Sequence, residues 1–286
     1  MSKIKKKKEG RRIRSLSPMS KVSPYIMVKR SDAQNYISDT LDIEAIEDYI
    51  FKKRSEGFKG FGMMHVFLAA YVRTISQRPG INRYIRGQKI YARNSIEIML
   101  TIKREMKLES PDTVLKIDFE PNMTANDIYK IINDAVEESR NSESGFDDTA
   151  KILNYIPGLV LKFIVWLLRF FDYFGWLPRF LTHLSPFHGS FAITSMGSLG
   201  IPPIYHHIYD FGNIPVFMSF GAKRTVNVLE KNGTITQKRY VDYKVVTDER
   251  ICDGYYFASA LKLVRENMLH PDRLDFPPEK IIEDIK

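Results

Sequence analysis

The sequence predicts one α/β domain, and three observations carry that expectation. The chain has 286 residues and 44% hydrophobic content, enough for a single substantial core. Apolar residues recur with strand period in some segments and with helix period in others. In the C-terminal third, a strand runs through a charged turn directly into a helix. There Tyr243, Val245 and Thr247 alternate with Lys244, Val246 and Asp248, and Gly254 ends the turn. Phe257, Ala258, Leu261, Val264 and Met268 then fall at helical spacing until Pro271. A turn rich in ionisable groups and held by a rigid element on each side is a common seat of chemistry.

The charge is uneven. The formal net charge is +9, and residues 1–14 hold eight Lys/Arg against one Glu, so the other 272 residues carry only +2. Residues 1–14 are expected to be a disordered basic tail, since they have almost no apolar side chains to bury. No aromatic residues interleave with these charges, which argues against nucleic acid as a partner. One cysteine and no secretory leader point to a reducing, cytoplasmic setting without an internal disulfide.

In chain order, residues 35–42 read as a strand and 43–53 as the start of a helix. Residues 61–76 read as an amphipathic helix, with Met64, Phe67, Leu68, Tyr71 and Val72 on one face. Residues 89–92 and 96–103 read as two strands. Thr124 opens a helix with Asp127 as the acidic partner of a capping box, and Ile128, Ile131, Ile132, Ala135 and Val136 form its apolar face. Residues 159–176 are strongly apolar, with Lys162, Arg169 and Asp172 as the only charges, and the longest charge-free run is too short to span a bilayer. This helix reads as one buried at a subunit contact or channel, or as one lying in weak contact with a membrane surface. Residues 190–196 and 216–222 read as strands. Asn232-Gly233 is a strong hairpin signal between two further strands.

Several of these segments resemble the catalytic domain of the dihydrolipoyl acyltransferases of 2-oxoacid dehydrogenase complexes, and the related chloramphenicol acetyltransferases. Asp253-Gly254 is similar to the end of the family's His-x-x-x-Asp-Gly motif, and Arg250 also fits. The catalytic histidine position is occupied by Glu249. Leu16-Ser17-Pro18-Met19, the Arg78-to-Asn82 turn and the Phe191-to-Gly197 strand resemble further family segments. Thr194 falls on the family serine that stabilises the oxyanion, with Ser195 beside it. Residues 89–92 and 96–103 match the family's next hairpin. The resemblance implies a two-layer sandwich with a mixed, mostly antiparallel sheet over residues 15–286. It also implies a homotrimer or a multiple of trimers, with active sites between subunits. Coenzyme A or acyl-CoA is then the expected substrate, with no lipoyl group and no metal. On this reading Asp253 holds the turn by an ion pair with an arginine, and Glu249 of one subunit faces Thr194 of its neighbour.

Acyl transfer needs a base for the acceptor proton and a donor for the oxyanion. An ordinary glutamate, at about 4.3, lies roughly four units below a thiol, and only desolvation closes that gap. Glu249 is therefore expected to be buried if it is the base. His206 and His207 are the alternative bases, in the segment that departs most from the family pattern. The third reading is a non-catalytic oligomeric scaffold that keeps the fold. Cys252 reads as a buried structural thiol.

Overall fold

The computed structural model describes residues 9–103, 112–141 and 155–286. Residues 142–148, whose polar sequence reads as a loop, lie outside the described residues. The main sheet has six strands in the order β2-β9-β8-β7-β5-β6. These are β2 (Gln34–Asp42), β5 (Ile96–Lys103), β6 (Asp112–Phe119), β7 (Phe191–Ser195), β8 (Val216–Leu229) and β9 (Ile235–Asp248). β2–β9, β9–β8 and β5–β6 pair antiparallel, whereas β8–β7 and β7–β5 pair parallel. The expected mixed, mostly antiparallel sheet is thus observed.

One face of this sheet is covered by α3 (Met63–Gln77), α4 (Ala125–Asn141) and α7 (Gly254–Leu269), with α2 (Glu44–Ser55) beside them. The packing is aromatic at its centre. Phe67 stacks on Phe220 with ring centroids 4.7 Å apart, and Tyr71 stacks on Phe191 at 3.7 Å. Strand alternation then sends Ala192, Thr194, Phe217 and Ser219 to the opposite face. That face is covered by the 196–215 segment. Its stretch from Ile201 runs along β8, with Ala222 N donating to Ile201 O at 3.0 Å and Ile204 N to Ser219 Oγ at 3.1 Å.

The capping box at α4 is formed in both directions. Thr124 N donates to Asp127 Oδ2 at 2.9 Å, and Asp127 N donates to Thr124 Oγ1 at 3.3 Å.

Two expectations are corrected. Residues 89–92 and 96–103 do not form a hairpin. β4 (Lys89–Arg93) joins β3 (Arg83–Arg86) and β1 (Gly10–Arg12) in a separate three-stranded sheet, while β5 enters the main sheet. The basic tail does not stay unstructured to residue 14. β1 pairs with β4, Ile13 is buried, and Glu9 is buried between Arg86 and Arg93. A buried carboxylate with two guanidiniums ties this stretch down, and of residues 1–14 only 1–8 fall outside the described part. The hairpin expected at Asn232-Gly233 is observed: β8 ends at Leu229, β9 begins at Ile235, the two pair antiparallel, and Gly233 takes a φ of 83°.

Candidate functional site

The turn after β9 is held by one buried carboxylate. Asp248 receives Arg250 Nε at 2.8 Å, Arg250 Nη2 at 2.7 Å and Arg30 Nε at 3.2 Å. Arg250 Nη1 also donates to Met27 O and Val28 O, both at 3.1 Å. Arg30 donates to Tyr209 O at 2.6 Å and Gly212 O at 2.8 Å. Asp248 therefore joins three separate chain segments, and all three side chains are buried. Two guanidiniums on one carboxylate give a rigid, bidentate arrangement.

Asp253 has a different duty from the one the resemblance implied. Its carboxylate caps α7, accepting from Tyr256 N at 2.8 Å, and the arginine pair belongs to Asp248. The reason is local: Asp253 sits at the N-cap, where its side chain faces the free N–H groups of the first turn. Gly254 is the first residue of α7. Sequence reasoning missed Asp248 and Arg30. The usable signal was the adjacency of Asp248 to Glu249 in the run Asp248-Glu249-Arg250.

Glu249 is exposed in the single chain, not buried as expected for a base. Asp248 and Arg250 on either side take the inward positions, so the residue between them points out. It lines a cleft of about 470 Å³ together with α1 (Pro18–Ile26), Arg83, Cys252, Tyr256 and Ile285. Arg250, which also lines the cleft, is pinned to Asp248. The cleft floor is firmly built. Arg83 Nε and Nη2 bind Asp284 at 2.7 and 2.6 Å, and Arg83 Nη1 reaches Ile251 O at 3.3 Å. Tyr256 Oη accepts from Gly80 N at 2.9 Å. Burial pushes the Cys252 thiol well up, against the opposing effect of Arg83. It is therefore a poor nucleophile at neutral pH, in line with a structural cysteine.

Thr194 is buried on β7, on the sheet face away from α3 and α7. It pairs with Ser219, which in turn pairs with Lys244. Glu249 lies five residues further on, just past the end of β9. At about 3.4 Å per residue and about 4.8 Å per strand, Thr194 and Glu249 are roughly 20 Å apart within one chain. A single chain does not bring them together. Ser195 is half-buried, and its carbonyl accepts from Ser198 Oγ at 3.2 Å.

His206 lies on the same face as Thr194. It stacks on Phe217 with centroids 4.4 Å apart, and its Nε2 is buried without a partner. Burial, with His207 beside it, lowers its pKa and favours the neutral ring. His207 is exposed and meets the Tyr209 ring edge-on. Among the described residues, no group of three or more His, Cys, Asp or Glu is placed to hold a metal ion.

No family profile and no curated protein sequence matches this chain. Solved structures do match its architecture, and they define its class as the fold of the acyltransferase catalytic domains. A probable dihydrolipoamide acetyltransferase from Listeria monocytogenes 4b F2365 is 16% identical and superposes at TM-score 0.57, covering 89% of this chain and 94% of its own. The cubic core of the pyruvate dehydrogenase multienzyme complex gives TM-score 0.60 at 12% identity, with 91% and 92% covered. A chloramphenicol acetyltransferase gives 0.51 at 11% identity, with 88% and 96% covered. The resemblance read from the sequence is thus borne out as a shared fold.

Proposed function

We propose that this protein is a coenzyme-A-dependent acyltransferase whose site is completed between subunits of a homotrimer or a multiple of trimers. The observation that carries the reading is the 248–254 turn. Asp248 fixes its backbone from below, while Glu249 is left unpaired by any described salt bridge and faces a cleft large enough for a thioester. The separation of Glu249 from Thr194 within one chain fits a site shared between neighbours. A neighbour that covers Glu249 also supplies the desolvation a carboxylate needs to act as a stronger base.

In this mechanism Glu249 takes the proton of a thiol, hydroxyl or amine acceptor as it attacks the thioester carbonyl. The Thr194 hydroxyl of the adjoining subunit donates to the oxyanion. Collapse of the tetrahedral intermediate breaks the carbon–sulfur bond, and Glu249 returns the proton to the coenzyme A thiolate.

Thiol release from acetyl-CoA, measured with acetyl-CoA binding by calorimetry, tests this. Glu249→Gln is expected to lose turnover while keeping binding, because the amide keeps shape and loses basicity. Glu249→His is expected to raise transfer to a thiol. A fully active Glu249→Gln overturns the assignment.

His206 supports a second reading, because its neutral ring has a free nitrogen on the face that carries Thr194. Loss of turnover in His206→Ala with an active Glu249→Gln would establish it. A wild type that neither binds nor turns over acetyl-CoA, with an equally inert Glu249→His, would leave the non-catalytic scaffold.

A further inference from the structure

Helix α5 (Gly158–Phe174) has no buried residue in the chain. It rests on the body through half-buried Leu161, Ile164, Leu168 and Phe171, and it shows its other side to solvent. That side is ordered by type. Leu159, Phe163, Trp166, Phe170 and Phe174 follow one another at steps of three and four residues, which gives one continuous apolar stripe. The rings form a surface run: Phe163–Trp166 and Trp166–Phe170 centroids are 5.9 Å apart, and Phe170–Phe174 and Phe174–Trp176 are 4.9 Å apart. Trp166 is 58% exposed and Trp176 is 62% exposed. They are the only two tryptophans of the chain.

The charges of the helix are sorted as well. Lys162 and Arg169 lie one above the other along the stripe and are exposed. The single acid, Asp172, is turned inward, 3.3 Å from His188 Nε2. Gly175 closes the helix with a φ of 72°, against the side chain of Arg86. Arg86 binds Glu9, the first described residue, and Arg179 of α6 (Arg179–Leu184) lies 4.0 Å from the same carboxylate. Glu9 is therefore held beside the C-terminal end of an exposed aromatic helix.

We infer that α5 docks flat on an anionic lipid bilayer surface, its aromatic stripe in the interface and Lys162 and Arg169 against the headgroups. Tryptophan and phenylalanine at headgroup depth, joined to basic residues on the same arc, suit that surface. Apolar burial and basic charge supply the two signals that stable peripheral binding requires. No helix among the described residues is long and apolar enough to cross a membrane, so the contact lies along the surface. A two-fold contact with a second copy fits less well, because it would bring Lys162 and Arg169 against their own copies with no acid on that arc.

The two tryptophans make the test direct. Full-length protein is mixed with vesicles of phosphatidylcholine, with and without phosphatidylserine, and emission and co-sedimentation are read together. A blue shift and sedimentation with the anionic vesicles only are expected. Lys162→Glu with Arg169→Glu should weaken the partitioning at least about tenfold. Phe163→Ser with Phe170→Ser should abolish the shift without changing the melting temperature, since both side chains are exposed. Emission unchanged by anionic vesicles at low salt overturns the inference. So does dissociation of the oligomer by the Phe163→Ser/Phe170→Ser variant when wild type ignores vesicles, which would assign the stripe to a subunit contact.

Discussion

The 248–254 turn and helix α5 use similar residue types to opposite ends. At the turn, charge is inside: Asp248, Arg250 and Arg30 are buried together, and one acidic side chain, Glu249, is left facing a cleft. At α5, the charge balance is reversed outward, with bases exposed, the acid turned in and the aromatic rings uncovered. A buried ion cluster holds a backbone in one geometry, because removing any partner strands a charge. An exposed aromatic stripe fixes nothing by itself and waits for a surface to cover it. The first region is built for position, the second for contact.

This contrast sets the order of expected effects. Asp248→Ala should be the most damaging single change, costing about 3–5 kcal/mol, because it leaves two guanidiniums buried without their carboxylate. Urea unfolding measures it. A loss below about 1 kcal/mol would mean that the three joined segments hold the turn without the cluster.

The next effect is in acid. Burial alone would raise the Glu9 carboxyl, but Arg93, Arg86 and Asn213 outweigh it and hold its pKa at about 2, against an ordinary 4.5. Glu97 is held at about 2 in the same way, burial being opposed by Lys116, Arg93 and Arg179. Both folded values lie below the unfolded ones. The stabilisation is therefore full above about pH 4.5 and is lost as the pH falls towards 2, on the order of 3 kcal/mol for each carboxylate. Unfolding midpoints across that window should drop steeply in wild type and less in Glu9→Gln. By the same argument, removing residues 1–8 should leave stability unchanged, whereas removing residues 1–12 should not. Equal melting temperatures for the two truncations would show that β1 and Glu9 add nothing.

A smaller effect is expected at Gly80. A Cβ there would lie 2.6 Å from the ring of Tyr256, whose hydroxyl oxygen also accepts from the Gly80 N–H. Gly80→Ala should cost about 1–3 kcal/mol by overpacking. It should also disturb the floor of the Glu249 cleft, read as weaker acetyl-CoA binding. The smallest effects belong to the exposed groups. Glu249→Gln, Phe163→Ser and Phe170→Ser should each move stability by no more than about 0.5 kcal/mol. A large destabilisation by Glu249→Gln would make that residue part of the frame and not of the site.

Much of this architecture was legible in the residues. Phe67 and Tyr71 on one face of α3, the Thr124–Asp127 capping box and the alternation from Tyr243 to Asp248 all reflect periods and caps that local geometry enforces. The shared fold was readable through Arg250, Asp253 and Gly254. Other features were not. Nothing local says that the carboxylate clamping the turn is Asp248 rather than Asp253, because Arg30 reaches it from 218 positions away in the chain. β1 was invisible, since a short basic stretch becomes a strand only when β4 lies beside it and Arg86 and Arg93 neutralise Glu9.

By itself, then, the sequence determined the elements, their caps and the faces they would bury, because those follow from side-chain period and backbone chemistry within a few residues. Tertiary structure alone decided which charges were buried together. It also left Glu249 outward between two inward neighbours, and kept Glu249 and Thr194 apart within one chain. Pairing energies of that kind depend on groups distant in sequence meeting in a low-dielectric interior, and no local pattern encodes such a meeting.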